Sequence, residues 1–177
     1  MIVFRQADPR YPFLWESPDQ PAGRWHGPGE GPAHYFSDTP DGAWAELLRH
    51  EEITDPEDLA TVRRALWAVE IGSPELPAVS LPSRDGMGGP DSWPAYQRVA
   101  RELRLQNARG LTAPSAALRP GSAQGWRVAN GQIPAAPRDA RVLVLFGPAP
   151  ELVGWRCVER GWPPVAVLAA VRHYRDR

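Results

Sequence analysis

Over residues 93–105 the apolar side chains of Tyr96, Val99, Ala100 and Leu103 recur at i, i+3, i+4 and i+7, one face of a 3.6-residue repeat, and this spacing predicts a helix. The other face carries Arg98, Arg101, Glu102 and Arg104, which suits a solvated surface or a docking face for an acidic partner. Residues 141–146 show no such period. There Val142 to Phe146 form an unbroken apolar run, which predicts a strand covered on both sides. Shorter runs predict further strands at residues 2–5, 34–36, 66–71, 110–113 and 152–158, while 165–174 suits either a strand or a helix.

The punctuation between these runs is equally informative. Thr39-Pro40 marks a helix start: a threonine can cap, and proline at the first helical position lacks an amide hydrogen that would have no partner there. Asp55-Pro56 marks a second, short helix with an acidic first turn. Two stretches near 73–91 and 120–140 are rich in Gly, Pro, Ser and Ala without apolar periodicity, and they predict long surface loops. Short strands interspersed with a few helices amount to an α+β architecture, with residues 1–177 as one domain.

Composition narrows the chemistry. A chain of 177 residues buries roughly 70% of the surface its unfolded form exposes, enough for a sizeable core. The net charge of -1 gives no electrostatic basis for gripping a phosphate backbone, so no direct nucleic-acid partner is expected. All 20 basic residues are arginine, and the absence of lysine excludes a Schiff-base mechanism. The single Cys157 excludes an internal disulfide and a multi-cysteine metal site; its apolar neighbours predict a buried structural thiol. His26, His34, His50 and His173 show no metal-ligand spacing, so neither a metal nor a cofactor is expected. The amino terminus lacks a basic start and a long apolar run, and no stretch approaches the roughly 20 apolar residues of a membrane span, so a cytoplasmic protein is expected.

Functional groups concentrate in one region: Gly23-Arg24-Trp25-His26-Gly27-Pro28-Gly29, then His34-Tyr35-Phe36, then Ala43-Trp44-Ala45-Glu46. A guanidinium on a loop, a phenol on a strand and a carboxylate on the next helix could meet in one pocket. The glycine-rich run is neither a Walker loop nor a dinucleotide G-x-G-x-x-G, because it does not join a strand to a helix at the required spacing. No G-x-S-x-G surrounds Ser115. Read from the residues alone, each group also has a plain structural role. Glu46 lies about 130° from the centre of the apolar face formed by Ala43, Trp44, Leu47 and Leu48, which predicts a solvated residue with Arg49 and His50 as surface partners. Arg24 reads as a surface arginine, Tyr35 as a core strand residue and Ser115 as a turn residue.

The order strand, G-R-W-x-x-P-G, tyrosine, A-x-A-E helix, with a later Pro114-Ser115 pair after an apolar run, resembles the RES-domain family, named for its arginine, glutamate and serine. The resemblance implies a fold similar to ADP-ribosyltransferases, with two small packed sheets around a cleft, and activity on NAD+ as a substrate. It assigns Arg24, Glu46 and Ser115 to catalysis, and Gly23, Arg24, Trp25 and Tyr35 to substrate binding. It implies that Tyr35 packs at the nicotinamide end and keeps its hydroxyl as a donor. Arg5 also fits the family pattern, with a structural ion pair as its expected role, whereas His26 stands where many members carry asparagine. The resemblance further implies the toxin half of a bacterial toxin–antitoxin pair, an antitoxin partner with a helix-turn-helix DNA-binding domain, and leaves open a homodimer within that complex. Three functions follow as alternatives: cleavage of the nicotinamide–ribose bond by water or phosphate, ADP-ribosyl transfer to a protein or small molecule, and a non-catalytic binding module.

Overall fold

The computed structural model describes residues 1–72, 75–80 and 88–174. Among them run strands β1 (Ile2–Ala7), β2 (Ala33–Ser37), β3 (Arg64–Glu70), β4 (Gly110–Pro114), β5 (Trp126–Val128), β6 (Gln132–Pro134), β7 (Arg141–Phe146) and β8 (Val153–Gly161), with helices α1 (Pro40–His50), α2 (Trp93–Leu105) and α3 (Val165–Leu168). The architecture is α+β, as expected. Six strands form one antiparallel sheet in the order β4-β7-β2-β1-β3-β8, and β5 pairs with β6 in a separate ribbon.

The register explains where a cleft can open. β1 lies along β3 from Ile2–Glu70 to Ala7–Ala65, and β2 lies along β7 from Ala33–Phe146 to Ser37–Val142. Between these two halves, β1 meets β2 at the Phe4–Ser37 pair. The expected pair of sheets around a cleft thus takes the form of one sheet whose halves part between β1 and β2.

Helices cover one face on either side of that parting. Thr39 caps α1 by accepting a hydrogen bond from the Gly42 amide at 3.0 Å, with Pro40 opening the first turn. The helix seats on the end of β2: a Cβ on Gly42 would fall 1.9 Å from the Ser37 hydroxyl. Ala43, Trp44, Leu47 and Leu48 pack with Leu59, Leu66, Leu118, Val167 and Val171. Over the other half, Tyr96 and Ala100 of α2 pack on Leu111, Val142, Val144 and the loop residue Trp25. The opposite face of the sheet is closed by Val3, Phe36, Val69, Leu143 and Leu145.

Two expectations are corrected here. The stretch 120–140 is not all loop; it folds β5 and β6 into a short, largely exposed hairpin. Cys157 is exposed rather than buried, because β8 is the edge of the sheet and covers little of its own surface. The charged face of α2 is solvated, as expected, with Arg98, Arg101 and Glu102 exposed; Arg101 and Arg104 also reach Glu30 at 3.0 and 3.4 Å, tying the helix to the glycine-rich loop. The 73–91 stretch falls partly outside the described residues. Within it, residue 78 bridges to Thr112, and a 3-10 turn spans Pro90–Ser92.

Candidate active site

A cavity of about 320 Å³ opens where the sheet parts, between α1, the Gly23–Trp25 loop and the start of α2. That volume lies at the lower end of what small-molecule sites enclose. Its walls include Phe4, Arg5 and Gln6 of β1, Tyr35, Phe36 and Ser37 of β2, and Glu46, Arg49 and His50 of α1. Arg24, Trp93, Pro114 and Tyr174 complete much of the rest. Gly23, Arg24, Trp25, Tyr35 and Glu46 all border this one space, as the pattern of loop, strand and helix anticipated.

Glu46 departs from its helical-wheel reading. It is half-buried against the cavity, because α1 is covered on nearly every side and the polar flank of the helix closes over the parted sheet. Burial raises its carboxyl above the ordinary carboxylate range; Arg24, Arg49, His50 and a hydrogen bond with Ser115 pull it back without reversing the shift. Ser115, 6% exposed, stands just after β4. Its amide donates to the Ala140 carbonyl at 2.8 Å, and its hydroxyl accepts from the amides of Ala117 and Leu118, both at 3.2 Å. With those two donors in place the hydroxyl proton is available to Glu46, so the serine steadies the carboxylate.

Arg24 projects from a tight turn in which the Gly23 amide donates to the His26 carbonyl at 3.0 Å. Gln97 of α2 fastens that turn, its side-chain amide donating to the carbonyls of Gly23 at 2.9 Å and His26 at 3.2 Å. The guanidinium lies 5.1 Å from the centre of the Tyr96 ring and donates to the Gly88 carbonyl at 3.3 Å. Trp25 borders the cavity, but its ring belongs to the core, edge-on to Tyr96 at 5.2 Å. The Tyr35 hydroxyl accepts from the Trp25 amide and pairs with His26 Nδ1, each at 2.9 Å.

Two arginines take places that their sequence context did not suggest. Arg49, read as a surface partner of Glu46, is 2% exposed. It donates to the Arg172 carbonyl and, at 3.2 Å, to the same Gly88 carbonyl that Arg24 contacts, with its guanidinium 4.4 Å from the Tyr174 ring centre. Arg5 makes no ion pair among the described residues, contrary to the expected structural role. Its Nη1 is buried without a hydrogen-bond partner, and desolvation pulls the guanidinium down to about 10. A buried cation short of partners is costly unless an anion completes it, so Arg5 belongs with the site. The match to the family pattern was the available signal for Arg5; Arg49 carried none. Among the described residues no cluster of three or more His, Cys, Asp or Glu is arranged to hold a metal ion, and none of the helices is long and apolar enough to cross a membrane.

The fold is shared with a known structure. The chain superimposes on one in the crystal structure of the M. tuberculosis MbcT–MbcA toxin–antitoxin complex with a TM-score of 0.59 and 16% identity, over 89% of this chain and 84% of that one. Residues 3–163 match the RES domain, and the chain belongs to the RES-domain family. No curated protein matches it.

Proposed function

We propose that this protein breaks the bond between nicotinamide and ribose in NAD+, as the toxin of a toxin–antitoxin pair. The observation that carries the reading is Glu46, half-buried and held by Ser115, in a cavity that Arg5, Arg24, Arg49 and Arg64 also border. A dinucleotide presents the matching charges: a pyrophosphate and, at the other end, a cationic nicotinamide.

The chemistry asks little acid catalysis of the protein. When the C1′–N bond breaks, its electron pair leaves with nicotinamide, which departs neutral and needs no proton. Positive charge then develops on the ribose. The Glu46 carboxylate, in a partly desolvated site, stabilises that charge more than it stabilises the ground state. Arg24 grips the pyrophosphate through paired hydrogen bonds, with Arg5 and Arg49 as further cations on the same walls. Water adds at C1′ and gives up a proton, leaving ADP-ribose; phosphate in place of water leaves the 1″-phosphate.

A toxin of this kind needs a neutralising partner. The structural neighbour was crystallised as a toxin–antitoxin complex, and the family resemblance supports an antitoxin with a helix-turn-helix domain here. Purified protein with NAD+ and no macromolecular acceptor tests the activity. Release of nicotinamide is the expected result; release that waits for an added protein or small-molecule acceptor would replace hydrolysis with ADP-ribosyl transfer, and none under either condition would leave a binding module.

A further inference from the structure

We infer that His26 is a positioning residue that makes Tyr35 a hydrogen-bond acceptor toward the cavity, so that the group Tyr35 takes from the substrate is a donor. The inference rests on the NAD+ reading for the substrate, but its geometric half stands on its own. His26 is 1% exposed, and Nε2 lies 2.9 Å from the Pro21 carbonyl. A carbonyl can only accept, so Nε2 carries a proton. Burial holds the imidazole below its ordinary pKa, with Arg104 acting in the same sense and the Pro21 carbonyl and Glu30 in the other, and the neutral ring leaves Nδ1 as a bare lone pair. The contact at Nδ1 is the Tyr35 hydroxyl at 2.9 Å, which must therefore donate to it.

The remaining valences of that oxygen are then determined. One lone pair accepts from the Trp25 amide at 2.9 Å, and the other is left for the cavity. Turning the O–H toward the cavity would leave the buried Nδ1 lone pair facing an oxygen lone pair with no proton between them, so the donor stays committed to His26. This reverses the polarity expected of Tyr35 from sequence. At the scissile end of NAD+ the donors are the carboxamide N–H groups and the ribose hydroxyls, and both suit a fixed acceptor.

Nitrogen-15 NMR of the imidazole at neutral pH reads the tautomer directly. A protonated Nε2 with a bare Nδ1 is expected, and the opposite tautomer would overturn the inference whether or not the protein acts on NAD+. Kinetics test the positioning. Tyr35→Phe and His26→Leu should each raise KM for NAD+ about tenfold with a smaller change in kcat, and the double variant should be no worse than Tyr35→Phe alone, because His26 acts through that hydroxyl. Independent effects, about a hundredfold together, would show a merely structural histidine. His26→Asn, which keeps an acceptor near the Nδ1 position, should restore most of the loss. The dinucleotide with a carboxylate in place of the carboxamide identifies the donor: discrimination against it that vanishes in Tyr35→Phe assigns the carboxamide, and equal handling by both proteins assigns a ribose hydroxyl.

Discussion

The burial that suits Glu46 to its proposed role also costs the fold stability. Because its folded-state pKa is raised, the folded protein favours the neutral acid, and the stability this confers is lost as pH rises from the unfolded value through the folded one. Above the unfolded value, burying this carboxyl therefore works against folding. Glu46→Gln should abolish nicotinamide release yet melt no lower than wild type at pH 7, with any advantage narrowing as pH falls toward 4.5. A marked drop in the melting temperature of the variant would make Glu46 a structural carboxylate instead. The same shift sets the acid limb of the wild-type rate profile, which should fall off above 4.5, the ordinary glutamate value. A profile flat down to that pH would exclude Glu46 as the ionised group. Arg24→Lys keeps the charge but loses the planar fork; one charge-assisted bond is on the order of 1.5–3 kcal/mol, so affinity for ADP-ribose should weaken about ten- to a hundredfold by calorimetric titration.

Elements decide which of these residues can be read from sequence. Residues 93–105 and 141–146 match α2 and β7 end to end, because one strong period and one unbroken apolar run left little ambiguity. Thr39-Pro40 placed the start of α1 for the same local reason. What sequence pattern missed depended on contacts between distant segments. A helical wheel assumes one buried side, whereas α1 is covered on several, which turned Glu46 and Arg49 inward. The β5–β6 hairpin has little apolar alternation to announce it, and nothing local marks β8 as an edge. The family resemblance, rather than periodicity, brought Glu46 and Ser115 forward; Glu46 borders the cavity, and Ser115 stands behind it, joined by a hydrogen bond with Glu46. The hold of α2 on the Arg24 turn is testable in the same terms. Gln97→Ala removes two hydrogen bonds and leaves the Gly23 and His26 carbonyls only the bonds they accept from each other's amides, for a loss of about 1–3 kcal/mol in denaturant unfolding. Raised KM for NAD+ should accompany it, and a stability loss without any change in KM would show that the turn keeps its shape without α2.

At the scale of the whole molecule, the parting of the sheet between β1 and β2 creates the cavity; α1 brings Glu46 and Arg49 to it, and α2 holds the turn that carries Arg24. Expressed without a partner in bacteria, the protein should lower cellular NAD+ and stop growth, and Arg24→Ala at equal abundance should be tolerated. Growth arrest with NAD+ unchanged would point to a specific modified target. The central claim is that Glu46 drives cleavage of the nicotinamide–ribose bond, and the most direct measurement is nicotinamide released from NAD+ by purified wild type and by folded Glu46→Gln. Steady release by the former and none above background by the latter are expected; turnover by Glu46→Gln at a rate near wild type would contradict that role.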